Sequence, residues 1–124
     1  MQRKEIWIDF SAEANADYAE LQKQALEERK LGKENSFNVQ LLKAIDREIN
    51  NLKIDPQHGD HIPRKNIPKS LVRRYGTDRL WRIELVGYWR LLYTITGDEV
   101  KIIAVILEFM EHKKYDKLFG YRKK

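Results

Sequence analysis

The residue types with usable chemistry cluster in the second half of this 124-residue chain. Arg82 and Glu84 lie in Leu80-Trp-Arg-Ile-Glu-Leu, Arg90 lies in Tyr88-Trp-Arg-Leu-Leu-Tyr-Thr-Ile, and His112 and Tyr115 follow a long apolar run. An arginine matches a phosphate well, because its planar fork donates two parallel hydrogen bonds. The competing use of Arg90 is a cross-strand ion pair with Glu84, which is worth little at a surface. A histidine, with an unperturbed pKa of about 6.5, exchanges protons near neutrality. A tyrosine beside an arginine can donate or accept a proton, or stack on a base. The plainer alternatives are a helix-capping His112 and a Tyr115 at the edge of the core. Arg64, Lys65, Lys69, Arg73 and Arg74 form an electrostatic footprint without specificity, interleaved with Tyr75, Tyr88 and Trp89.

Other chemistries find no support. There is no cysteine, so disulfides, thiolate metal sites and cysteine nucleophiles are excluded. No phosphate-cradling glycine loop, nucleophile elbow or HExxH segment occurs. His58 and His61 have no evident third ligand and read as loop surface. No metal and no cofactor is expected.

Charge is unevenly placed. Residues 1–55 hold 9 Lys+Arg against 11 Asp+Glu, and residues 56–124 hold 15 against 8. A polyanion contacting the second part is the natural partner. The composition, 42% hydrophobic and 35% charged, fits one globular domain over residues 1–124. The longest apolar run, residues 102–107, falls far short of the roughly 18 residues of a membrane span. A cytoplasmic protein without a membrane partner is expected.

The elements that must position these residues follow from periodicity. Ile6, Ile8 and Phe10 alternate with Trp7 and Asp9, which predicts a strand. Ser11 is an N-cap for a helix over residues 12–31, and Gly32 stands where a C′ glycine belongs. A second helix starts near Ser36, with Val39, Leu42, Ile45, Ile49 and Leu52 as its apolar stripe, and stops before Asp55-Pro56. The short connection predicts an antiparallel helical hairpin. A long connection follows, with a short strand or helical turn over residues 68–75 ended by Gly76. Strands are predicted over residues 80–86, 89–96 and 100–109, then a short helix carrying His112, Tyr115 and Phe119.

The hairpin about Gly87 has one favoured register. Leu85 opposite Trp89, Ile83 opposite Leu91 and Trp81 opposite Tyr93 share an apolar face; Glu84 opposite Arg90 and Arg82 opposite Leu92 share the other. The third strand is apolar on both sides, as a central strand should be. The result is an α+β domain: an N-terminal strand and a helical hairpin on one face of a small, mainly antiparallel sheet, with a short C-terminal helix. On this reading the face bearing Arg82, Glu84, Arg90 and Thr94 is free to bind.

The segments Leu80-Trp-Arg-Ile-Glu-Leu, Tyr88-Trp-Arg-Leu-Leu-Tyr-Thr-Ile, Val100-Lys-Ile-Ile-Ala-Val-Ile-Leu and His112-Lys-Lys-Tyr together resemble the RelE/ParE toxin superfamily. The resemblance runs from about residue 56 to 121 and rests on topology before that. It implies a RelE-like toxin that cleaves mRNA in the ribosomal A site without a metal. Its partners would be the ribosome, the mRNA and a small acidic antitoxin protein. By position, Arg90 matches the arginine on the scissile phosphate, Tyr115 the C-terminal tyrosine, and His112 a polar catalytic group. Arg82, Lys113 and Lys114 would add charge toward RNA. Glu84 departs from the family, which often has a lysine there: it is either a general base or a neutraliser of Arg90. A ParE-like toxin that binds gyrase without hydrolysis, and a non-toxic nucleic-acid-binding module, are the alternatives.

Overall fold

The computed structural model describes residues 4–120; Tyr121, Arg122, Lys123 and Lys124 of the basic tail lie outside the described residues, as do the first three. Strand β1 (Glu5–Phe10) leads through Ser11 into helix α1 (Ala12–Lys30). The Ser11 side chain accepts the Ala14 N–H at 3.0 Å, satisfying one orphan donor of the helix. Gly32, at φ +82°, lets the chain leave the helix in the left-handed region. Ser36 caps α2 (Phe37–Ile54) in the same way, accepting from the Val39 N–H at 3.2 Å.

Strand β2 (Asp60–Ile62), a 3₁₀ turn at Arg64–Asn66 and helix α3 (Lys69–Tyr75) fill the long connection. Then come β3 (Leu80–Glu84), a turn at Val86–Tyr88, β4 (Arg90–Gly97), β5 (Lys101–Met110) and helix α4 (His112–Phe119). The sheet order is β1-β5-β4-β3-β2, with β1 parallel to β5 and the other pairs antiparallel. The predicted hairpin register is observed: Trp81 pairs with Tyr93, Ile83 with Leu91, Arg82 with Leu92 and Glu84 with Arg90.

The α1–α2 hairpin covers one face. Leu41, Ala44, Ile45 and Leu52 pack there on Ile83, Leu91, Tyr93, Ile106 and Phe109. The stripe of α2 is rotated from its predicted position. Leu41 and Ala44 are buried and Leu42 is only half-buried, because α2 meets both α1 and the sheet.

The opposite face is not free. Helices α3 and α4 lie over part of it, and a second core joins Ile62, Leu71, Leu80, Leu92, Leu107, Met110, Tyr115 and Phe119. The reason is visible in the strands. Leu80 and Leu92 alternate onto the same face as Arg82 and Arg90, and both are fully buried. Two leucines in mid-sheet require cover. Thr94 is also engaged, its hydroxyl donating to the Arg79 carbonyl at 2.7 Å.

A register shift sits between β4 and β5. Leu92 pairs with Glu108, but Tyr93 pairs with Ile106, leaving Leu107 as an extra residue. Ser11 fastens this bulge: its N–H donates to the Ile106 carbonyl at 2.8 Å and its hydroxyl to the Leu107 carbonyl at 2.6 Å. The extra residue reverses the parity of β5. Ile106 and Phe109 face the helical hairpin, whereas Leu107 and Met110 join the second core.

The loop before β2 is tied to the sheet through Tyr93. The Gly59 N–H donates to the Tyr93 hydroxyl at 2.9 Å, which itself donates to the Pro56 carbonyl at 2.7 Å. A Cβ at Gly59 would lie 2.8 Å from the Arg82 carbonyl oxygen and 2.9 Å from Tyr93 Cε1. Gly59→Ala is therefore expected to lower stability by about 1–3 kcal/mol, read as a shift of the urea midpoint. Burial pushes the Tyr93 hydroxyl up to about 12. The unfolded chain then loses this proton first, near pH 10, and stability falls between pH 10 and about 12. Denaturation midpoints measured across that range should fall less steeply in Tyr93→Phe than in the wild type.

Candidate nucleic-acid site

The site is built where β3, β4 and α4 meet. Neighbouring strands present Arg82 and Arg90 on one face, and α4 brings Tyr115 against them. Helix α4 is held by its apolar spacing. Tyr115 and Phe119, four residues apart, stack with centroids 4.2 Å apart over the second core. Gly120, at φ +72°, ends the helix.

Tyr115 is 1% exposed and lies beneath both arginines. The Arg90 Cζ is 5.0 Å from the ring centroid and the Arg82 Cζ is 5.8 Å from it. Arg82 Nη1 also donates to the Tyr115 hydroxyl at 2.6 Å. Two guanidinium groups thus share one aromatic ring, which offers each a negative face against their mutual repulsion. Arg90 is 8% exposed. Its Nη1 donates to the Tyr88 carbonyl, and its Nη2 lies 3.3 Å from Glu84 Oε1. Its Nε is buried and has no partner among the described residues. Glu84, in contrast, is exposed and on the rim. The predicted Arg90–Glu84 pair is therefore present, with one partner buried and the other exposed.

His112 stands at the edge of this cluster. Its Nε2 is 3.0 Å from Asp116 Oδ2, one turn on, and its ring centroid is 5.5 Å from that of Tyr88. Tyr88 links the rim to the centre, since its carbonyl holds Arg90. The structure thus gathers Arg82, Glu84, Arg90, Tyr115 and His112 into one region.

The basic residues divide. Lys65, Lys69, Arg73 and Lys113 are exposed and make no ion pair among the described residues. Arg64 pairs with Asp78 at 3.3 Å. Arg74 and Lys114 turn toward a carboxylate that the sequence reading passed over. Glu108, only 2% exposed, accepts from Tyr75 and from Arg74 Nη1 at 3.4 Å, and Lys114 Nζ lies 2.6 Å from its other oxygen. Glu13 of α1 adds a second contact to Arg74 at 3.6 Å. The cause is the bulge, which carries Glu108 to the α3–α4 side. Burial and the Glu108 carboxylate push the Tyr75 hydroxyl well above the usual phenol range. The available signal was a single acid inside the apolar run of β5.

His58 is held by Glu48, with Nε2 2.9 Å from Oε1, and His61 packs on Trp81 with centroids 4.8 Å apart. No group of three or more potential metal-ligating side chains converges among the described residues, and no helix among them is long and apolar enough to cross a membrane.

No protein-family profile and no curated protein matches this sequence. A solved structure does match: the YoeB/ParE toxin from Agrobacterium tumefaciens superimposes with a TM-score of 0.54 at 14% identity, over 86% of this chain and 98% of that one. The chain has the fold of the RelE/ParE toxin superfamily. Within it, two arginines lie over a buried tyrosine where β3, β4 and α4 meet.

Glu108→Gln keeps the shape but removes the charge on which Tyr75, Arg74 and Lys114 converge. Arg74 and Lys114 are half exposed and can return to water, so a loss of about 1–3 kcal/mol is expected in urea denaturation.

Proposed function

We propose that this chain is the toxin of a toxin–antitoxin pair and acts as a ribosome-dependent mRNA endoribonuclease. The observation that carries the reading is Arg90: a buried guanidinium seated on the Tyr115 ring, with Nε unpartnered and only the exposed carboxylate of Glu84 across its outer edge. Such a group is preset for an anion, because its orientation is fixed before the ligand arrives. A phosphate oxygen that displaces Glu84 gains a directed cation.

The chemistry needs a base, a cation and an acid. The base takes the proton of a ribose 2′-OH as that oxygen attacks the adjacent phosphorus. Negative charge grows on the phosphoryl oxygens, where Arg90 and Arg82 meet it. The bond to the 5′ oxygen breaks and the acid protonates that oxygen, leaving a 2′,3′-cyclic phosphate and a 5′-OH. Glu84, freed from Arg90 by the phosphate, is the base in this scheme. His112, beside Asp116, is the acid. Tyr115 is a positioning residue that fixes both arginines from below. The exposed Lys65, Lys69, Arg73 and Lys113 supply a basic surface for the ribosome and, in the neutralised state, for an acidic antitoxin.

Induced expression in a bacterial host, with primer extension on a reporter mRNA, tests this. Growth arrest with discrete cleavages is expected. Arg90→Ala should reduce cleavage by at least about 10²-fold, and Arg90→Lys should not restore it, because a lysine lacks the fork. Glu84→Gln should lower cleavage by about 10²–10⁴-fold as the loss of a general base. Stronger cleavage in Glu84→Gln would make Glu84 a restraint on Arg90 instead. Arrest without cleavage would overturn the ribonuclease reading and point to another target, such as gyrase.

A further inference from the structure

We propose that the Tyr88 ring is a stacking platform for a nucleobase of single-stranded RNA, next to the phosphate taken by Arg90. The identity of the ligand rests on the endoribonuclease reading above; the platform itself rests on the following geometry.

Tyr88 is the one non-glycine among the described residues with a positive φ, at 62°. A bulky aromatic residue is strained in this region. Asparagine or glycine would meet the backbone demand more easily. Burial does not explain the choice, because the residue is 70% exposed. The strained turn has two visible effects. It aims the Tyr88 carbonyl at Arg90 Nη1, and it sends the ring outward beside His112.

The platform is held from three sides. Gly87, at φ +67°, lies against α2 so closely that a Cβ would be 2.6 Å from Phe37 Cε1. Leu85 and Trp89 close the turn, with the Leu85 N–H donating to the Trp89 carbonyl at 2.7 Å. The His112 ring, fixed by Asp116, leans on Tyr88 at 5.5 Å and 45°. One side of the Tyr88 ring is thus supported while most of its surface meets water. An exposed aromatic ring held in place loses little freedom when a flat partner lands on it.

A base is the flat partner that fits this place. The residue that exposes the ring is the same one that orients the phosphate-binding arginine. A nucleotide with its phosphate on Arg90 has its base beside the Tyr88 ring. Stacking of this kind accepts any base and favours the larger purines by overlap, so it would bias cleavage toward purine-flanked phosphates without hydrogen-bond readout.

The test is fluorescence anisotropy with a short labelled single-stranded RNA, and with copies carrying one abasic nucleotide at each position in turn. Tyr88→Ala should weaken binding of the intact RNA roughly 5- to 150-fold. Tyr88→Phe and Tyr88→Trp should keep wild-type affinity, since each retains a ring. One abasic position should weaken the wild type and erase its advantage over Tyr88→Ala. Tyr88→Asn, tolerated at positive φ, gives a second ring-less variant, and thermal melts confirm that each variant is folded. The proposal fails if Tyr88→Ala and Tyr88→Asn, folded, bind like the wild type. It fails equally if their loss is the same at every abasic position, if Tyr88→Phe binds as weakly as Tyr88→Ala, or if the wild type shows no RNA binding. Arg90→Ala in the same assay separates the two ideas: weakened binding there, with none in Tyr88→Ala, removes the platform and keeps the phosphate site.

Discussion

One extra residue in β5 governs the half of the molecule that carries the site. Without the bulge at Leu107, strict alternation from Ile106 would put Glu108 into the helical-hairpin core and Phe109 on the other face. A carboxylate among Leu91, Ile45 and Ile83 would have no partner. With the bulge, Phe109 fills that core and Glu108 meets Tyr75, Arg74 and Lys114. Glu108 then links α3, through Tyr75 and Arg74, to α4, through Lys114. Both helices that cover the second face are fastened to β5 by one side chain. Ser11 braces the same bulge from β1, so the corner between β1 and α1 also depends on it.

That covering layer changes what the arginines are. On an open sheet, Arg82 and Arg90 would be long solvated side chains, and an ion pair with Glu84 would be worth little. Here α4 slides Tyr115 beneath them. The ring accepts both cations, its hydroxyl takes a hydrogen bond from Arg82, and Phe119 backs it within the core. The guanidinium groups lose rotamer freedom during folding. This is the physical content of preorganisation: the ordering cost is met by the packing of Tyr115 and Phe119. Glu84 stays exposed on the rim. A buried cation thus faces an exposed carboxylate across a single 3.3 Å contact.

Much of the scaffold was legible in local pattern. Ser11 capped the helix it was assigned to, the second helix began beside Ser36, Gly32 and Gly76 ended theirs, and the apolar alternation of residues 80–96 selected the hairpin register that is observed. The gathering of Arg82, Glu84 and Arg90 followed directly from that register. Three features were not legible. The parallel pairing of β1 with β5 joins segments almost a hundred residues apart, and no local periodicity records it. The strand Asp60–Ile62 is three residues long, too short to show an alternation. The strained turn at Tyr88 depends on Phe37, Arg90 and His112, which come from three different elements.

The amino-acid sequence by itself determined which residues share a strand face or a helix side, because those relations repeat every two residues or every three to four. It therefore placed both arginines together and set Tyr115 and Phe119 on one side of their helix. Only the tertiary structure decided which face each core would claim. That choice depends on the bulge at Leu107, on the burial demanded by Leu80 and Leu92, and on the partners that a lone carboxylate can find. These are energies of the whole fold. A single inserted residue inverts the parity of everything after it, and the pattern of side chains before it carries no sign that the inversion is coming.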